Sequence, residues 1–343
     1  MRNLGIIMCK SGEHFAKKVV DKIETKLKRD YDYEGSILIK TEPKLFANDE
    51  LKTIVKESIR NKDIFIFQDV ENRSAIHEST DGRTVPYSLN DNYMDLRTTI
   101  DSVRRSDAKR INVVIPYYPY SRQDKAKDRE GITAAMVARD LEGDGADRVI
   151  TLDIHNEAIA GFFRKAHFEN LRASKEILNY IREYLFLNEV GSPDAGGAQR
   201  TEYYAKQLGV PWFIVSKHRD YSVTGDVENM YLVGDVEGKS VSYIDDMIAT
   251  AGTSKTGGKL AKDHGAKKVY FAASHGLFNG PAFDRISEAY EQGFIDGIIV
   301  GNTTYHTEEQ KNLPWYKEVN LENYFAQVIL NTHRGESLSK LLD

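Results

Sequence analysis

Short apolar runs alternate with charged, amphipathic segments along almost the whole chain, and no other feature limits its fold so tightly. Residues 4–9, 36–39, 64–68, 111–115, 149–152, 212–216, 241–244, 269–273 and 295–300 read as strands. Segments such as 14–30 and 133–143 carry helical periodicity between them. A strand, a helical crossover and a further strand place the strands parallel. The pattern predicts an α/β fold with mainly parallel sheets flanked by helices. A length of 343 residues predicts two domains, with a boundary near residues 163–170 where a new helix is expected. Three helix-to-strand joins are alike, beginning Ser106-Asp-Ala-Lys-Arg, Asp144-Gly-Ala-Asp-Arg and His264-Gly-Ala-Lys-Lys. The recurrence points to an internal duplication, although helix, turn and strand is a common unit in α/β proteins. The polar stretch 75–92 reads as a surface loop or hairpin insertion, and 220–227 as a second polar loop after a strand.

Net charge is -5, which gives no reason to expect a nucleic-acid partner. The single cysteine, Cys9, rules out an internal disulfide and sits in an apolar run that suits a buried side chain. The first apolar run is short and followed by Lys10 and Glu13, so it reads as a strand rather than a targeting segment. No stretch is long enough to cross a bilayer. A soluble, cytoplasmic protein is the expectation.

The run Tyr243-Ile-Asp-Asp-Met-Ile-Ala-Thr-Ala-Gly-Thr-Ser254 carries the most chemistry. It leaves a strand and opens a helix expected from Ser254 to His264, and such a loop offers free backbone N–H groups to phosphate. Thr250 and Thr253 add hydroxyl donors, and Gly252 permits close approach. Asp245 and Asp246 can accept hydrogen bonds from vicinal hydroxyls, so the run suits a sugar phosphate. Paired Asp residues after a strand also serve simply as helix-start devices.

Other constellations are individually weaker. Tyr117-Tyr-Pro-Tyr-Ser-Arg-Gln-Asp-Lys-Ala-Lys-Asp-Arg129 follows a strand and can hold a nucleotide, with Arg122 on phosphate and Gln123 on a base edge, or be a solvated basic loop. His155 is placed at a strand end, where a structural role is the commoner one. Ser192-Pro-Asp-Ala-Gly-Gly-Ala-Gln-Arg200 is a second phosphate-loop candidate or an ordinary helix entry near Ala198. Phe46-Ala-Asn-Asp-Glu50 would by itself start a helix over 50–60. Lys217 and Arg219 flank a strand end.

In this order the motifs resemble the ribose-phosphate diphosphokinase family, and the resemblance spans nearly the whole chain. It implies two similar type I phosphoribosyltransferase-like domains, 1–165 and 166–319, with 320–343 packing back on the first. It implies transfer of diphosphate from ATP to the 1-hydroxyl of ribose 5-phosphate, with magnesium (Mg2+) as cofactor. Phe46, Asn48, Glu50, Arg122 and Gln123 would bind ATP, and His155 and Asp194 would serve the metal. Asp245, Asp246, Thr250, Ala251, Gly252 and Thr253 would hold the ribose phosphate, and Lys217 and Arg219 would be catalytic. A homo-oligomer, commonly hexameric, is implied, with no nucleic acid and no membrane.

Ala249 stands where the family generally has a third acid, as in some phosphoribosyltransferases that use a base. Asp49 stands where the family has glycine, and Gly131 where it has proline. A base-using transferase, an acceptor larger than ribose 5-phosphate such as ADP-ribose, and a non-catalytic regulatory paralogue are the alternatives.

Overall fold

The computed structural model describes residues 3–219 and 228–342, and for residues 217–219, 228, 229 and 342 the backbone alone. Packing divides the chain into two units: 1–172 with 303–305 and 321–343, and 173–302 with 306–320.

The first unit runs β1 (Leu4–Met8), α1 (Glu13–Tyr31), β2 (Thr41–Leu45), β3 (Leu51–Val55), β4 (Asp63–Phe67), β5 (Ile76–Glu78), β6 (Thr84–Pro86), α2 (Leu89–Arg105), β7 (Arg110–Val114), α3 (Thr133–Asp144), β8 (Arg148–Leu152) and β9 (His167–Leu171). The order β1-β4-β7-β8-β9 makes a wholly parallel sheet. The second unit runs α4 (Ser174–Tyr184), β10 (Glu189–Ser192), α5 (Ala198–Leu208), β11 (Trp212–Arg219), β12 (Glu228–Val233), β13 (Ser240–Ile248), α6 (Gly252–Asp263), β14 (Lys268–Gly276), α7 (Ala282–Glu291), β15 (Gly297–Gly301), α8 (Glu308–Lys311) and β16 (Tyr316–Val319). Its seven strands lie in the order β12-β11-β10-β13-β14-β15-β16, parallel except for the β11–β12 hairpin. The chain then returns to the first unit as α9 (Glu322–Arg334) and ends in α10 (Ser339–Leu342). No helix among the described residues is long and apolar enough to cross a membrane.

The expected α/β class is the one observed, and the repeated joins have a shared cause. Each turns through a left-handed residue, Asp107 (φ 63°), Gly145 (φ 119°) or Gly265 (φ 84°), before entering β7, β8 or β14. Asp147 and Asp296 also act alike: each carboxylate accepts the backbone N–H of the neighbouring strand, Ile111 and Val269 respectively, at 2.8 Å.

Three local expectations fail. Residues 50–60 are not helical; β2 and β3 form an antiparallel hairpin with Leu45 opposite Leu51. The β-branched run Thr53-Ile-Val55 favours the extended state, and buried Thr53 bonds the Thr99 hydroxyl at 3.0 Å. Residues 36–39 do not form a strand; they keep one isolated parallel bridge, Ile6 to Leu38. Residues 167–171 form β9 rather than the start of a helix, because pairing with β8 overrides their polar composition. The stretch 75–92 is the β5–β6 hairpin followed by α2, whose Ser88 and Asp91 make a reciprocal capping box. Residues 220–227 lie outside the described residues.

Helix α9 is fixed to the first sheet by one buried carboxylate. Asp63, at the start of β4, is 3% exposed and accepts from Arg110 Nε at 3.1 Å and Asn112 Nδ2 at 2.8 Å. His333 Nδ1 of α9 lies 2.8 Å from its other oxygen. Burial opposes ionisation of Asp63, but the His333, Arg110 and Asn112 bonds outweigh it and hold its pKa below the usual value. Phe15 of α1 meets Phe325 of α9 edge to face at 5.0 Å, closing the apolar layer behind this anchor.

Two other buried carboxyls behave oppositely. Asp69 and Asp95 are pushed up to about 7, chiefly by burial. Asp69 Oδ2 accepts from the Tyr305 N–H at 3.0 Å and so anchors the segment 303–305 in this unit.

Asp63→Ala should cost about 1–3 kcal/mol in a denaturant titration, because it takes away an acceptor of the buried Asn112 amide and of the His333 ring. The folded pKa of Asp63 is lowered, so its stabilisation is present above the unfolded pKa and is lost as pH falls through the folded one. For Asp95 the sign reverses. Its proton is retained in the fold to about 7, so stability falls as pH rises from about 4 to 7. Asp95→Asn should flatten that part of the stability profile.

Candidate active site

In an open α/β sheet, ligands bind at the carboxyl ends of strands where the strand order reverses. In the second sheet that place lies between β10 and β13, because β10 leads to β11 on one side while β13 continues on the other. The register Glu189 to Val241, Val190 to Ser242 and Gly191 to Tyr243 brings the end of β10 beside the acidic doublet.

Strand β13 runs through Asp245 and Asp246 instead of ending before them. Pairing with β14 continues as far as Ile248 opposite Gly276, which holds the doublet on a rigid element. Tyr243, fully buried, stacks on Phe271 at 4.6 Å and donates its hydroxyl to the Gly257 carbonyl of α6 at 2.9 Å. Glycine at 258 lets α6 lie against the backbone, since a Cβ there would meet the Phe294 carbonyl at 2.8 Å.

The loop between β13 and α6 is tied from outside. The Asn279 N–H donates to the Ala249 carbonyl at 2.9 Å, and Arg285 Nη1 to the Thr250 carbonyl at 3.0 Å. Ala251, in the left-handed conformation (φ 57°), precedes α6, and its side chain makes no capping bond. The helix therefore begins two residues earlier than expected, at Gly252, with no side chain of the N-cap residue claiming its first N–H groups. Thr250, Gly252 and Thr253 surround this end, and Arg285 adds a guanidinium that the sequence did not signal.

The second loop candidate also folds as a helix entry. Asp194 Oδ1 accepts from the Gly197 N–H at 3.1 Å, and Ser192 Oγ donates to the Asp194 carbonyl at 2.6 Å. Only glycine fits at 197, where a Cβ would lie 2.7 Å from Ser192 Oγ. From α5, Arg200 reaches Asp245 Oδ1 at 3.4 Å and Asp246 Oδ1 at 3.8 Å. The sequence run contains Arg200, but its link to the doublet appears only in the fold. Burial first, then the charge of Asp246, pushes the Asp245 carboxyl well up, while Arg200 pulls it down. Asp246 is 6% exposed and Asp245 32%, so the latter is the more accessible acceptor.

Strand β11 continues from Ile214, its last partner on β10, to Arg219. The backbones of Lys217 and Arg219 therefore project past the same sheet edge, while their side chains lie outside the described residues.

In the first unit, Arg122 and Gln123 are exposed on the loop after β7, and His155 is exposed on the loop after β8. Strand β8 ends at Leu152, so His155 is a loop residue, three positions beyond the strand where it was expected to close. A bond from Asn156 Nδ2 to Asp124 Oδ2 joins the two loops. Phe46, Asn48 and Glu50 lie elsewhere, in the β2–β3 turn on its own two-stranded sheet. Asn48 Oδ1 accepts from the Glu50 N–H at 3.3 Å, and the Phe46 ring is 37% exposed. Among the described residues, no group of three or more His, Cys, Asp or Glu is gathered to hold a metal ion.

Comparison with known proteins covers both units. Residues 4–145 match the model of the N-terminal domain of ribose phosphate pyrophosphokinase, and residues 196–343 the phosphoribosyl synthetase-associated domain. Ribose-phosphate pyrophosphokinase A of Dictyostelium discoideum is 36% identical over 298 residues, 86% of this chain and 87% of that one. The ribose-phosphate pyrophosphokinase of Wolinella succinogenes is 37% identical over 298 residues, 86% and 88% of the two chains. The crystal structure of phosphoribosylpyrophosphate synthetase from Mycobacterium smegmatis superposes with a TM-score of 0.82 at 31% identity, covering 97% of this chain and 99% of that one. With likeness of this extent over most of its length, the chain belongs to the ribose-phosphate pyrophosphokinase family.

Proposed function

We propose that the chain transfers the β,γ-diphosphate of ATP to the 1-hydroxyl of ribose 5-phosphate, giving phosphoribosyl diphosphate and AMP. The observation that carries this reading is the acidic doublet fixed beside a helix start with no side-chain cap, at the strand-order reversal of the second sheet. Asp245 and Asp246 accept from the 2- and 3-hydroxyls, and the 250–253 loop donates to the 5-phosphate. The sugar O1 attacks the β-phosphorus, the bond from that phosphorus to the α,β-bridging oxygen breaks, AMP leaves with that oxygen, and the O1 proton is released. Lys217 and Arg219, at the end of β11, stabilise the charge that develops on the leaving side. No protein nucleophile is needed, and positioning does much of the work.

The base of ATP is assigned to Phe46, Asn48 and Glu50, and its phosphates to Arg122, with Gln123 at the base edge. The exposed Asp194 carboxylate is a hard oxygen donor that suits magnesium, with His155 on the nucleotide side. Magnesium held there would supply positive charge against the phosphate oxygens. The first unit is the proposed nucleotide side and the second the pentose side, in a cytoplasmic homo-oligomer. Likeness over most of the chain favours this reading over a base-using transferase, a larger acceptor or a non-catalytic paralogue.

AMP should form from ATP only when ribose 5-phosphate and magnesium are both present; a folded protein that makes none would overturn the reading. Lys217→Ala should lower kcat by roughly 10²–10³ with pentose phosphate affinity unchanged. Arg200→Met should raise the Asp245 pKa further, because Arg200 opposes the upward shift. Its KM for ribose 5-phosphate should therefore rise more at pH 6 than at pH 9, and a pH-independent ratio to the parent would remove Arg200 from this role.

A further inference from the structure

The β5–β6 hairpin has no part in the reaction as described, yet its tip is bonded to the turn assigned to the nucleotide base. The hairpin closes tightly: the Ser79 N–H donates to the Arg83 carbonyl at 2.8 Å and the Gly82 N–H to the Ser79 carbonyl at 2.9 Å, with Gly82 at φ 83°. From this tip, donors reach three consecutive carbonyls of the neighbouring segment. The Thr80 N–H donates to Leu45 O at 2.8 Å, Ser79 Oγ to Phe46 O at 3.1 Å, and Arg83 Nη2 to Ala47 O at 2.6 Å. Arg83 Nη2 also lies 3.2 Å from Asp49 Oδ1, while its Nε donates to Asp81 Oδ2 at 2.8 Å. One guanidinium thus bridges the hairpin tip to the 46–50 turn.

Two features of the turn give these bonds a purpose. Asp49 sits in the left-handed region (φ 65°), a conformation a non-glycine residue adopts only at a cost. The backbone is bound at each of its carbonyls from Leu45 to Ala47, yet the Phe46 ring on it stays 37% exposed. A fixed backbone that presents an open aromatic face is what a pre-organised stacking surface requires, since less order has to be imposed on binding.

We infer that the β5–β6 hairpin is a clamp that pre-orders the 46–50 turn for the base of ATP, with Arg83 as its positioning residue. The inference rests on the assignment of Phe46, Asn48 and Glu50 to the nucleotide. Arg83 touches no substrate; it acts by holding Ala47 O and Asp49 in place.

The test uses the full chain with Arg83→Ala and Arg83→Lys, reading steady-state kinetics and backbone hydrogen exchange. Arg83→Ala should raise KM for ATP about fivefold to tenfold, leaving kcat and KM for ribose 5-phosphate within about twofold of the parent. Arg83→Lys should recover part of the loss, because an ammonium can reach the turn but cannot at the same time hold Asp81 through a second nitrogen as the planar fork does. The Phe46 and Asp49 amides, which close the turn onto Glu50 O and Phe46 O at 2.9 Å, should exchange faster in Arg83→Ala. Faster exchange with an unchanged KM for ATP would overturn the role in nucleotide binding, and unchanged exchange would overturn the clamp itself. Equal changes in KM for both substrates would also overturn it, since they would show a general loss of order. A parent chain inert toward ATP fails in the first assay, which separates the loss of the parent reading from that of the clamp.

Discussion

The pairing of β10 with β13 is the constraint on which the candidate site depends. These strands are neighbours in the sheet but not in the sequence, and the strand order reverses between them. A reversal opens a crevice, because the connections on its two sides depart in opposite directions. Into that crevice the fold brings the 192–197 loop, the Asp245–Asp246 doublet and the start of α6. Arg200 then ties α5 to the doublet on β13, reaching both carboxylates. Without it, two adjacent carboxylates in a mostly desolvated place would oppose each other's ionisation more strongly.

The two sheets solve one packing problem twice. In each, an acidic side chain at a strand start accepts a backbone N–H from its neighbour, and a left-handed residue turns the helix into the strand. They differ in their charged interiors. The first unit buries Asp63 in a network of cationic and amide donors that keeps it ionised, but buries Asp69 and Asp95 where desolvation dominates. The number and kind of donors around each carboxylate decide the direction of the shift, not burial alone.

Much of this architecture was legible in advance. Apolar runs bounded by turn residues marked β1, β4, β7, β8, β11, β13, β14 and β15, because a strand buried on both faces must be apolar throughout. The strands that escaped notice, β2, β3, β9, β10, β12 and β16, include edge and hairpin strands. These owe their extended state to a partner, and a local window contains no partner. The same reason explains why Glu50 and its successors, charged and without a turn signal, read as a helix although they pair back on β2.

The sequence by itself determined the class of fold, the repeated joins and the chemical character of each motif. These depend on side-chain type and short spacing, which a linear reading preserves. Only the tertiary structure decided that Arg200 meets the acidic doublet, that Arg285 holds the Thr250 carbonyl, that Asp63 receives His333 from the far end of the chain, and that Arg83 secures the 46–50 turn. Each joins residues distant in the chain through bonds a few ångströms long. Their existence depends on strand order and helix placement, which local sequence cannot encode.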